Sequence, residues 1–107
     1  MNHTEHMKLD MLLLGKKFPE VHKWLDATFN DSQKRAKYGR FGQVYYHWVD
    51  GHHEETLRTK FGDTPEFQAG RLHMIADWLS HWNIAEFPKN GAEVKKLLDA
   101  KLDRFNA

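Results

Sequence analysis

Residues 64–82, Thr-Pro-Glu-Phe-Gln-Ala-Gly-Arg-Leu-His-Met-Ile-Ala-Asp-Trp-Leu-Ser-His-Trp, constrain the fold more than any other stretch of the chain. Thr64 can cap a helix by accepting a free backbone N–H of the first turn. Pro65 suits the first helical position, and Glu66 sits at the positive end of the helix dipole. At about 100° per residue, Leu72, Met74, Ile75, Trp78, Leu79 and Trp82 cover a wide apolar arc. One neighbour cannot bury so broad an arc, so several helices must surround this one. His73, Asp77, Ser80 and His81 fall on the other side. Gly70 costs about 1 kcal/mol of helix propensity relative to Ala, and it offers a place where another helix can approach closely.

The rest of the chain supplies those neighbours. Residues 4–14 predict a first helix with Thr4 as cap, a stripe of Met7, Met11 and Leu14, and Gly15 as a left-handed stop. Pro19 opens a second helix to about Phe29, in which Phe18, Val21, His22, Leu25, Thr28 and Phe29 keep helical spacing. Asn30-Asp31-Ser32 is turn and cap chemistry. From Ser32 to Phe61 the positions Phe41, Tyr45, Trp48, Val49, His52 and Thr56 keep a helical period. Gly39, Gly42 and Gly51 predict that this helix bends or breaks near 39–42 and again near 51. Residues 43–49 are rich in β-formers, but no second strand is present to pair with them. A last helix follows Pro88, with Asn90 and Glu93 as a capping box and Val94, Leu97, Leu98, Leu102 and Phe105 as its stripe. The expected fold is all-α, a single-domain bundle of about five helices.

Composition narrows the function. A chain of 107 residues makes one domain with one modest core. Without cysteine, disulfides and thiolate metal sites are excluded. The apolar run Met11–Leu14 is too short for a signal-peptide core or a membrane span, so a cytoplasmic protein is expected. Sixteen Lys and Arg against fifteen Asp and Glu give no overall field towards nucleic acid. Fourteen aromatic residues require either a dense aromatic core or an adhesive surface.

One spacing stands out. His-x-x-x-Asp occurs at His6/Asp10, His22/Asp26 and His73/Asp77, where chance gives fewer than about one pair whose members face each other on a helix. His6/Asp10 reads as an ordinary surface contact. His22 reads either as a core histidine bonded to Asp26 or to a carbonyl, or as half of a shared site. His73/Asp77 reads either as a solvated face or as the other half. If the two helices face one another, His22, Asp26, His73 and Asp77, with His47 as a fifth group, make a site for a divalent transition metal such as Zn, Mn, Fe or Ni. His52-His53-Glu54-Glu55 resembles a ligand cluster, but neighbouring helical residues point about 100° apart, which favours a solvated helix face or bend.

The order His22-Lys-Trp-Leu-Asp26, a basic stretch, His47 and Gly51, Phe61-Gly62, His73-x-x-x-Asp77 and Phe87-Pro88 resembles an uncharacterised family of small bacterial and phage proteins. The resemblance covers about residues 20–90. It implies an all-α domain with a shared polar site, and no known reaction.

Catalytic templates are missing: there is no phosphate-binding glycine loop, no Gly-x-Ser-x-Gly elbow and no His-Asp dipeptide. The first expectation is therefore a non-catalytic interaction protein, phage-related on the resemblance, with another protein or a second copy as partner. Trp24, Tyr38, Tyr45, Tyr46, Trp48 and Trp82 would be its contact residues. A metal-dependent hydrolase is the alternative. Nucleic-acid binding through Lys34, Arg35, Lys37 and Arg40, with Tyr38 and Phe41 interleaved, ranks third.

Overall fold

The computed structural model describes residues 2–27 and 31–106, apart from the side chains of residues 40 and 102–106. The expected Thr28, Phe29 and Asn30 contributions, and the side chains of Leu102 and Phe105, lie outside the described residues. Six helices and no strand are present among those described: α1 (His3–Leu14), α2 (Pro19–Ala27), α3 (Ser32–Gly51), α4 (Glu54–Phe61), α5 (Pro65–Trp82) and α6 (Gly91–Asn106). No described helix is long and apolar enough to cross a membrane.

The extra helix comes from the break expected near Gly51. His52 and His53 leave helical geometry, and the His53 ring nitrogen Nδ1 caps α4 by accepting from Thr56 N–H at 3.3 Å. The first N–H groups of α4 donate to the carbonyls of Pro88 and Lys89 at 2.9 and 2.8 Å, so the loop before α6 holds this elbow. Gly39 supplies the other bend, with φ of 73° inside α3. Residues 43–49 are helical. The caps of α5 and α6 are as expected: Phe67 N–H donates to Thr64, and Glu93 N–H to Asn90. At α1 the cap is Asn2 rather than Thr4, and Glu5 completes a capping box.

The surroundings of α5 are those its apolar arc requires, since α1, α2 and α4 all pack on it and α6 packs on α3. Gly70 marks the tightest approach. A Cβ there would sit 2.3 Å from Cδ2 of the fully buried Leu57 on α4. Val21, Leu25, Leu57, Met74, Trp78, Val94 and Leu98 form the dry core. Trp48 joins it with its ring 4.8 Å from that of Trp78, and Trp78 Nε1–H donates to the His52 carbonyl at 3.1 Å, fixing the elbow to α5.

Helix α1 is the departure. Its expected apolar stripe is not what it buries: Met11, Leu12, Leu13 and Leu14 are exposed, Leu12 by 78%. The buried residues are His6 and Asp10. A polar face turns inward because acceptors and donors wait for it on α2 and α5, which offsets the cost of removing it from water.

Candidate metal centre

Five elements bring polar side chains to one place in the interior. His6 and Asp10 come from α1, His22 and Asp26 from α2, His47 from α3, His52 from the elbow, and His73 and Asp77 from α5. All but Asp26 are buried. Asp26 has a side chain 40% exposed and forms the wet edge of the cluster.

The i, i+4 spacing singled out three of these His/Asp pairs but matched the partners wrongly in two of them. His22 bonds not to Asp26 but to Asp10, with Nε2 2.6 Å from Oδ2. The same Asp10 oxygen accepts from Phe18 N–H at 3.0 Å. His6 leaves Asp10 alone and donates from Nε2 to Asp77 Oδ1 at 3.0 Å. His52 Nε2 lies 3.2 Å from Asp77 Oδ2. In the third pair, His73 Nε2 lies 3.0 Å from Asp77 Oδ2 and 3.5 Å from Asp26 Oδ1. These last two are ion-pair contacts, directed too obliquely for aligned hydrogen bonds. Nδ1 of His73 faces Nδ1 of His22 at 2.8 Å. The His6 ring stacks on that of His73 with centroids 3.8 Å apart.

These contacts assign the protons of the metal-free protein. Burial lowers the pKa of His22 despite its bond to Asp10, so its ring is neutral. Nε2 carries the hydrogen towards Asp10, which leaves Nδ1 of His22 as acceptor and Nδ1 of His73 as donor. Burial would lower His73 as well, but Asp26 and Asp77 outweigh it and hold the pKa above the usual histidine value. His73 is thus an imidazolium between two carboxylates. Burial pushes Asp77 up, and contacts to His52, His6 and His73 overcome this and hold it far below the usual carboxylate range. Asp26 is lowered in the same way, through His73. Burial pushes His52 down and His47 to about 3.

Two consequences bear on chemistry. Asp26 and Asp77 bring two negative charges and His73 returns one positive, so the cluster is negative even before Asp10 is counted. Three buried ligand atoms, Nδ1 of His6, Nδ1 of His52 and Oδ1 of Asp10, also have no hydrogen-bond partner. Lone pairs and negative charge gathered away from water are what a cation satisfies. Two sets of ligand atoms converge within 4.8 Å: His6, His22 and His73, and His52, His73 and Asp77.

Of the metal ligands expected from sequence, the structure brings His22, His73 and Asp77 together, with Asp26 at the rim. His47 lies outside both sets, with its ring 4.4 Å from that of His52. His6, Asp10 and His52 were not among the expected ligands. The His6/Asp10 spacing and the helical register that runs into His52 were the signals for them. The reading of His6/Asp10 as a surface contact is corrected by their exposure of 2% and 0%. The solvated-face reading of His73/Asp77 and of the first two residues of His52-His53-Glu54-Glu55 fails likewise, because all four of those residues are buried.

The other candidate surfaces are less coherent. Trp48 is a core residue, contrary to its expected role as a contact. Trp24, Tyr45 and Trp82 pack half-buried against the core. Tyr38 stacks on Tyr46 with centroids 4.2 Å apart. In the basic stretch Lys34 pairs with Asp50 at 3.0 Å, Arg35 and Lys37 are exposed, and the Arg40 side chain lies outside the described residues.

No protein-family model matches the chain, and searches of curated proteins and of solved structures also find no match.

Proposed function

We propose that this is a metal-binding helical protein whose interior His/Asp cluster takes a divalent transition ion. The observation that carries the reading is the convergence of two buried ligand sets, His6, His22 and His73, and His52, His73 and Asp77, each within 4.8 Å. Imidazole and carboxylate donors without thiolate suit Zn, Fe(II), Mn, Co or Ni. The ligands come from α1, α2, the elbow and α5, so an ion would tie together elements far apart in sequence, and binding would add directly to stability. The family resemblance of the His-x-x-x-Asp blocks is proposed on the same footing, as kinship through this cluster.

Untagged protein is expected to carry metal in elemental analysis and to melt at lower temperature after treatment with a chelator. Absence of metal together with unchanged melting in chelator would remove the proposal.

A second reading, as an interaction protein, has its own support. Met11, Leu12, Leu13 and Leu14 at the end of α1 are all exposed, Leu12 and Leu13 by 78% and 58%, and exposed apolar side chains gathered at one helix end suit association. Self-association through this run is expected to give a dimer in light scattering that Leu12→Glu converts to monomer. A monomer at all concentrations would exclude self-association.

A further inference from the structure

The two ligand sets share one residue, and they share it through opposite ends of its ring. Nδ1 of His73 faces His22 Nδ1 at 2.8 Å, while Nε2 faces Asp77 Oδ2 at 3.0 Å. His6 and His22 converge with His73 in one set, His52 and Asp77 in the other. We propose that the cluster holds two divalent ions joined by His73 as a bridging imidazolate, one ion on the Nδ1 side with His6 and His22, the other on the Nε2 side with His52 and Asp77. This inference rests on the metal-binding reading above and specifies its stoichiometry.

Part of the geometry is already in place. Metal–nitrogen bonds of about 2.0–2.1 Å at tetrahedral angles set two ligand nitrogens about 3.3 Å apart. The contacts of Asp77 Oδ2 with His73 and His52, at 3.0 and 3.2 Å, are already close to that spacing. The His22–His73 pair would open by about half an ångström to admit an ion. The His6 ring, stacked on His73 with centroids 3.8 Å apart and 17° between planes, must swing away from that ring to share its ion, because two imidazoles on one tetrahedral ion hold their centroids about 5 Å apart. Both ring nitrogens of His73 exchange a proton for a metal bond, and the two protons leave to solvent. Charge is balanced in the two-ion state: Asp10, Asp26, Asp77 and an imidazolate formally carry four negative charges, which two divalent cations cancel.

Titration of the metal-free full-length chain with Cu(II), counting copper retained after desalting and recording EPR spectra, tests this. Two ions per chain are expected. The integrated EPR signal should rise with the first and fall with the second, as the two spins couple through the imidazolate. His22→Gln and His52→Gln should each retain one ion with an undiminished signal. One ion per chain, or two ions whose signals add, overturns the bridge and leaves the metal-binding reading standing. No retained copper overturns both. The wild-type titration decides the matter even if a variant fails to fold.

Discussion

Asp77→Ala is expected to destabilise the metal-free protein by about 3–5 kcal/mol, the usual cost of removing one partner from a buried charged network. Three imidazoles depend on this carboxylate. His6 and His52 would lose the acceptor for Nε2, and the His73 imidazolium would lose its nearer counter-charge. None of the three can turn to water, since all are at most 2% exposed. A domain of this size has about 5–15 kcal/mol of stability in total, so the loss is a large share of the whole. Chemical denaturation in the presence of a chelator measures it. Asp26→Ala is the control: its side chain is 40% exposed and lies 3.5 Å from His73, so the expected loss is under about 1 kcal/mol. Equal losses from the two substitutions would mean that Asp77 is not the hub of the network.

Acid is the second strong perturbation. His22, His47, His52 and His53 all have folded pKa values lowered from 6.5 by burial. Below 6.5 the unfolded chain takes up protons that these folded rings refuse, so the stability they contribute is present above that pH and lost as pH falls. His47, pushed down to about 3, accounts for about 5 kcal/mol of this by the time pH reaches its folded value, at about 1.4 kcal/mol per pH unit. Asp26 and Asp77, lowered from 3.8, act in the same direction at still lower pH. His73 alone is raised, so its contribution is present below 6.5 and fades as pH rises through its folded value. Four rings outweigh one. The metal-free protein is therefore expected to be most stable near neutrality and to lose most of its stability between pH 6.5 and about 4, as read from denaturant midpoints against pH. A flat profile over that range would show that these rings are not buried neutral. Bound metal would move the loss to lower pH until protons displace it from the ligands.

Much of the architecture is legible before any coordinates are known. The cap at Thr64, the arc of α5, the stop at Gly15 and the breaks near Gly39 and Gly51 are local signals, and local signals fix helices. The partner surface is less legible, because periodicity does not say which apolar residues are covered. Trp48 is in the core and Phe41, in the same helical register, is 90% exposed. Both residues lie on the same side of the bend at Gly39, so register does not distinguish them; what does is which stretch of α3 the other helices cover.

The sequence by itself determined the all-α class, the cap of α5 and the three-fold recurrence of histidine four residues ahead of aspartate, because each depends on residues within two turns of one another. Only the tertiary structure decided how those pairs recombine. It turned α1 over so that His6 and Asp10 face inward and its leucines face out, and it gave His22 to Asp10 and His6 to Asp77. It also brought His52 to the cluster through the elbow after α3. The physical reason is that a polar residue in the interior is tolerated when partners await it there, and those partners lie on other helices. His22 and His73 are 51 positions apart and His6 and Asp77 are 71 apart, distances at which neither helical period nor residue spacing carries information.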